Sequence, residues 1–122
     1  QTASRTRAEH LLRAFLDWNF IPGRMPPKNT AVRPMLGLGP RMIALVTIQE
    51  WRANTGDRGF DAEAARLIRE IRELFYKPEL GALLENVAPD GSVVDHFDGR
   101  TLNPGHALEC VWFLMREAQE QQ

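Results

Sequence analysis

Cysteine is all but missing from this chain: Cys110 stands alone among 122 residues. One thiol cannot form an intramolecular disulfide, and its scarcity fits a reducing, cytoplasmic compartment. No apolar run reaches the roughly 18 residues that would suggest a membrane span. No surplus of positive charge exists either: 15 Lys and Arg stand against 16 Asp and Glu, for a net charge of -1. Without that surplus, counterion release cannot drive nucleic-acid binding, and an anionic membrane surface has nothing to attract. The basic residues are also dispersed rather than clustered. A phosphate-cradling Gly-rich loop is lacking, since "GLGP" at 37–40 is too short and carries a proline. The opening stretch "QTASRTRAEH" has neither a Met nor the apolar core of a signal peptide, and reads as the edge of a processed, excised or truncated piece.

What is present belongs to a soluble globular chain, with 43% apolar and 25% charged residues. The length suits one domain, 1–122. Ala8, Leu11, Leu12, Phe15 and Leu16 recur at helical spacing, so the pattern predicts a helix from about Ser4 to Trp18. A long Pro- and Gly-rich connection follows, "FIPGRMPPKNTAVRPMLGLGP". Loops of that length in compact domains are often functional or mobile. A second helix is predicted over Arg41–Asn54. Its "MIALVTI" run is apolar all round and should be buried on most sides, with Gly56 ending it in the left-handed region. Asp61 is expected to cap a third helix over Ala62–Tyr76. "GALLENV", then Pro89-Asp90-Gly91, then "SVVDHFDG" suggests one small β-hairpin around the Asp-Gly turn. Asn103 and Pro104 open a last helix that runs to about Gln119 and ends in the polar "EAQEQQ". The expected fold class is all-α, with about four helices and one hairpin.

The chemistry concentrates where that last helix begins. With Asn103 as N-cap, His106 is the third helical residue, in the positive field of the macrodipole, which favours a neutral ring. A neutral imidazole is what a general base needs. Glu109 lies three residues on, on the same face, where it could orient a ring nitrogen and stabilise the cation. Dipole and carboxylate push the histidine in opposite directions. Phe113 and Arg116 extend the stripe, and Trp112 lies beside it. Flat aromatic faces beside polar groups suit a sugar site. Leu108, Val111, Leu114 and Met115 read as packing. The plainer reading stands beside this one: a histidine near a helix start is often only a local capping or surface group. His-x-x-Glu could pair on a metal, but no third ligand stands at a recognisable spacing, so no metal and no cofactor is assigned. Cys110 reads as a buried, inert thiol, His10 as a surface residue and His96 as exposed.

"GRTLNPGHALECVWFLMREA", residues 99–118, closely resembles the G-R-x-x-N-P-G-H-x-x-E-x-x-W-F-L run of the N-acylglucosamine 2-epimerase family. "KPELGALLENVAPDGSVVDHFDGR" resembles the family's preceding segment, with its Pro-Glu-x-Gly, Glu-Asn pair and Asp-Gly turn. "RMIALVTIQEWRANTGD" is similar to its buried Met-rich helix. The resemblance implies part of an (α/α)6 barrel, about four of twelve helices, with the site in the barrel mouth. It implies a small-molecule sugar substrate and proton transfer at C2 of the open-chain form. The motif roles fall on His106 as acid/base and Glu109 as its support, and Trp112 and Asn103 are assigned to the substrate. A nucleotide effector is known among members, and a homodimer is a further partner to consider.

The departures are specific. The family's second acid/base histidine and its substrate-binding arginine have no counterpart here, since Arg24 matches no motif. Cys110, Val111 and Val46 replace other residue types. The chain by itself is therefore expected to be inactive. Two alternatives stay open: an aldose–ketose isomerase on the same barrel, and a non-catalytic helical module that binds a protein partner. A glycoside hydrolase would want two well-placed carboxylates, for which only Glu109 and Glu85 offer themselves.

Overall fold

The structure, a computed structural model, describes residues 2–26 and 32–121. It is mostly helical, as the periodicity predicts, and among the described residues the helices do not close into a barrel. Helix α1 spans Ala3–Phe20, with Thr2 capping it through a bond from the Arg5 N–H. Its apolar stripe lays Leu12, Phe15, Leu16 and Phe20 on the core. Irregular chain follows. Residues 27–31 of the predicted long connection lie outside the described residues.

Helix α2, Leu38–Thr55, follows directly on the two-residue strand β1, Leu36–Gly37. It starts three residues before the predicted Arg41, because Pro40 is tolerated in a first turn, where the missing N–H costs nothing. Leu38, Met42, Ala44, Leu45 and Ile48 are buried, and α1, α3 and α5 all pack against this helix. The all-apolar run is therefore the hub of the fold, with only Ile43 and Thr47 on an uncovered side. Gly56 ends it at φ 69°, a conformation that a Cβ would strain.

Helix α3 is Asp61–Glu70 and passes into one wider turn, Ile71–Phe75, closed by a bond from the Tyr76 N–H to the Ile71 carbonyl. The expectation that Asp61 caps α3 is corrected. Phe60 holds the cap position, Asp61 is the first helical residue, and its carboxylate accepts from Arg52 and Arg58 instead. Charge-assisted bonds to guanidinium outcompete a neutral N–H.

The hairpin also sits elsewhere than expected. Strand β2, Tyr76–Lys77, pairs antiparallel with β3, Ala82–Leu83, around the single turn Pro78–Leu80 and Gly81 at φ 58°. Strand β4, Asn86–Val87, then pairs with the distant β1. The Asp90-Gly91 turn does form, closed by Gly91 N–H to Ala88 O at 2.8 Å, but it joins no two strands. Register followed burial of Leu84 and Val87 rather than the local turn.

Helix α4 is one short turn, Phe97–Arg100, and α5 runs Pro104–Glu120. Cys110, Phe113 and Glu117 are its buried residues. Leu108, Val111 and Met115, expected to pack, are exposed. Helix α2 packs against one side of α5, and these residues lie on the side it leaves uncovered. Glu117, read from sequence as the start of a polar tail, is buried and bonds Arg52 and Gln49.

Gly99, the first residue of the "GRTLNPGH" run, owes its place to close approach. A Cβ there would overlap the Val94 carbonyl oxygen and come within 2.5 Å of Val94 Cβ. Gly99→Ala is expected to lower stability by about 1–3 kcal/mol, read as a fall in the urea midpoint. An unchanged midpoint would show that the 94–100 segment is free to shift.

Candidate functional site

Two chain segments distant in sequence meet at the start of α5. The first is the helix N-terminus itself. The Asn103 side chain accepts from the His106 N–H at 3.2 Å, and the Asn103 carbonyl accepts from Ala107. Asn103 is thus the cap the sequence predicted, with Pro104 in the first turn. These bonds fix the His106 backbone while its side chain stays 46% exposed.

The second segment is the chain between β3 and β4. Leu84 and Val87 are buried in the core, and Glu85 between them turns its side chain toward the start of α5. Its carbonyl accepts from the Leu38 N–H at 2.9 Å, which satisfies one of the unpaired donors of α2's first turn. The Glu85 side chain is 16% exposed, and both carboxylate oxygens lie within hydrogen-bond reach of His106 Nδ1, at 3.1 and 3.0 Å.

The carboxylate beside His106 is therefore Glu85, twenty-one residues away in sequence, and not Glu109 three residues on. Glu109 is exposed and makes no hydrogen bond or ion pair among the described residues. It acts on the ring only by charge. Spacing along one helix cannot reveal a partner brought in by β-pairing. From sequence, Glu85 stood out only as part of the Glu-Asn pair in the resemblance and as a candidate hydrolase carboxylate, not as a partner of His106.

The hydrogen bond that Glu85 accepts from the ring and the charge of that carboxylate raise the His106 pKa above the ordinary histidine value, burial opposes this, and the Glu109 charge adds to it. The two carboxylates thus act against the tendency toward neutrality read from the helix start. The pair favours the folded chain fully below the unfolded histidine pKa, and the contribution is lost as pH rises through the raised value. With the ring this exposed, its effect on stability is small.

Glu85 also lines a cavity of about 580 Å³ between the end of α1 and the start of α2. Phe20, Met35, Arg41, Arg66, Glu70 and Asn86 share its wall. Arg41 donates to Glu70 at 2.8 Å and to the Gly37 carbonyl at 2.9 Å, and Arg66 pairs with Glu63 and Glu70. Both guanidinium groups stack on Phe20, at 5.6 and 4.7 Å from the ring centre. Cationic and acidic groups share this wall with aromatic carbon, a surface suited to a polyol or another small polar molecule.

Trp112 is exposed, packs at 5.6 Å against Phe113 and carries the Arg116 guanidinium over its ring, also at 5.6 Å. Arg116 in turn donates to Glu50. Trp112 lies two turns along α5 from His106 and belongs to the helix's uncovered side. Cys110 is buried, as expected, and burial, with the Glu85 charge adding, pushes its thiol up to about 11, away from the reactive thiolate. His96 caps α4, accepting from the Asp98 N–H. Among the described residues no group of three or more His, Cys, Asp or Glu could hold a metal ion. No described helix is long and apolar enough to cross a membrane.

Most of the chain is similar to known proteins. The family model for N-acylglucosamine 2-epimerase (GlcNAc 2-epimerase) matches residues 15–122. An N-acylglucosamine 2-epimerase from Bos taurus is 57% identical over 103 residues. That match covers 80% of this chain but 22% of the bovine protein, so the chain spans about a fifth of that relative's length.

Proposed function

The chain belongs to the N-acylglucosamine 2-epimerase family, and from that premise we propose that it forms one wall of a sugar isomerase site, with His106 transferring the proton. The reading is carried by one observation: the motif histidine sits on a rigid helix start with a carboxylate on Nδ1. The chemistry needs such a group. Ring opening exposes a carbonyl, which acidifies the neighbouring C2 hydrogen. A base removes that proton to give an enediolate, and a proton returned to the opposite face of C2 inverts the centre. Returned to C1, it converts aldose to ketose. The base must be neutral when it acts and stronger than solvent, and a histidine whose cation is stabilised by carboxylates meets the second need at the expense of the first.

Inversion needs groups on both faces of C2, and this chain supplies one of them. The 122-residue chain alone is therefore expected to show no turnover. The decisive test places this segment in a longer family protein and follows deuterium from solvent with N-acylated and free aldohexoses. Label at C2 of both epimers supports the reading. Label at C1 of a ketose assigns aldose–ketose isomerisation instead. No label in any product overturns both.

A second reading, a helical module that binds a protein partner, draws on the apolar side of α5. Leu108, Val111, Trp112 and Met115 are exposed there, and an apolar groove of about 670 Å³ runs between α3 and α5. Sedimentation of the isolated chain is the check. A dimer that dissociates when Leu108 and Val111 become Asp supports an association surface with a second copy as the partner, whereas a monomer at high concentration removes that partner.

A further inference from the structure

We propose that Glu85 is the positioning residue of His106: its carboxylate holds the proton on Nδ1 and so leaves Nε2 as the atom that exchanges protons with a ligand. The inference rests on the proton-transfer reading for what Nε2 does, but the tautomer itself does not depend on it.

A carboxylate at this distance only accepts, so Nδ1 must be the donor. A neutral imidazole carries one N–H, and if Nδ1 holds it, Nε2 presents a lone pair. Nε2 makes no hydrogen bond among the described residues and is free for a ligand. Glu109, on the same helix as His106, does not compete for Nδ1. These two carboxylates are the charged groups that act on the ring, one from the β3–β4 segment and one from α5 itself.

The arrangement is built rather than incidental. Glu85 cannot slide along its segment. Its carbonyl is bonded to the Leu38 N–H, the Leu84 N–H to the Phe75 carbonyl, and Leu84 and Val87 are locked in the core. His106 is held through its own N–H by Asn103. Both backbones are thus anchored independently of the ring-to-carboxylate bond, which is how a proton-transferring group is preorganised.

The test uses the chain itself with uniform ¹⁵N label and no sugar. Long-range ¹H–¹⁵N spectra report which ring nitrogen of His106 is protonated at alkaline pH. Nδ1–H is expected, in place of the Nε2–H form that free histidine favours. Glu85→Ala should revert His106 to Nε2–H. Glu85→Gln, whose amide oxygen still accepts but carries no charge, should keep Nδ1–H and titrate at lower pH than the unaltered chain. Glu109→Gln should leave the tautomer as it was. Nε2–H in the unaltered chain, an unchanged tautomer in Glu85→Ala, or a switch caused by Glu109→Gln would each overturn the assignment. If the amide spectrum shows Glu85→Ala unfolded, the Glu85→Gln titration decides alone, and a midpoint not below that of the unaltered chain rejects the role. Failure here would leave the C2 reading to stand or fall on its own exchange experiment.

Discussion

Replacing His106 with Asn, in a longer family protein bearing this segment, is expected to lower deuterium exchange at C2 by about 10²–10⁴-fold, the range that a positioned acid/base group contributes. The fold should barely register the change. The ring is half-exposed, the core does not use it, and the cap bond to Asn103 comes from the backbone N–H, which Asn retains. An exposed substitution of this kind costs within about 0.5 kcal/mol. Loss of exchange can therefore be separated from loss of structure by running both measurements on one preparation. Sugar binding, followed by calorimetry, should persist, because the proton-transferring group matters most in the transition state. Exchange at the unaltered rate would remove His106 from the chemistry, whatever its surroundings.

The largest stability effect is expected at Glu117. Its carboxylate accepts from Arg52 at 3.0 and 3.1 Å and from the Gln49 amide at 3.2 Å. Arg52 and Glu117 are 6% and 3% exposed, so neither can turn to water when the other is lost. Glu117→Ala strands part of a buried guanidinium, a fault worth about 3–5 kcal/mol. A domain of this size has about 5–15 kcal/mol in all. Asp61, which also accepts from Arg52 at 2.6 and 2.9 Å, keeps the residual charge from being wholly unpaired. Arg52→Met with Glu117→Leu should recover most of the loss, because two apolar groups leave nothing unsatisfied between them. Urea unfolding of the four chains of that cycle, with unchanged slope, gives the coupling directly. A loss below about 1 kcal/mol for Glu117→Ala would mean that water reaches Arg52.

Much of this molecule is legible from local pattern. The α2 run "MIALVTI" has no polar face, so it had to become the hub. Gly56 and Asn103 end and begin helices for reasons contained within four residues of chain. Asp61 misled because its residue type fits a cap equally well as an ion-pair partner, and only the approach of Arg52 decides between them. The Asp90-Gly91 turn misled in a similar way. It forms, but pairing was settled by Leu36 meeting Val87, a contact fifty-one positions apart.

The same division runs through the candidate site. The amino-acid sequence by itself determined that α5 starts at Asn103-Pro104, that His106 stands in its first turn and that Cys110 is buried, because each follows from cap chemistry and a 3.6-residue period. It carries no record of which carboxylate would reach the ring. Glu109 is near His106 along the helix and Glu85 is remote along the chain, yet pairing of β1 with β4 and the bond from Leu38 to Glu85 bring the remote one to 3.0 Å. Tertiary structure decided this because a contact between distant segments depends on how buried faces pack, and that information is spread over the whole core rather than written at either residue.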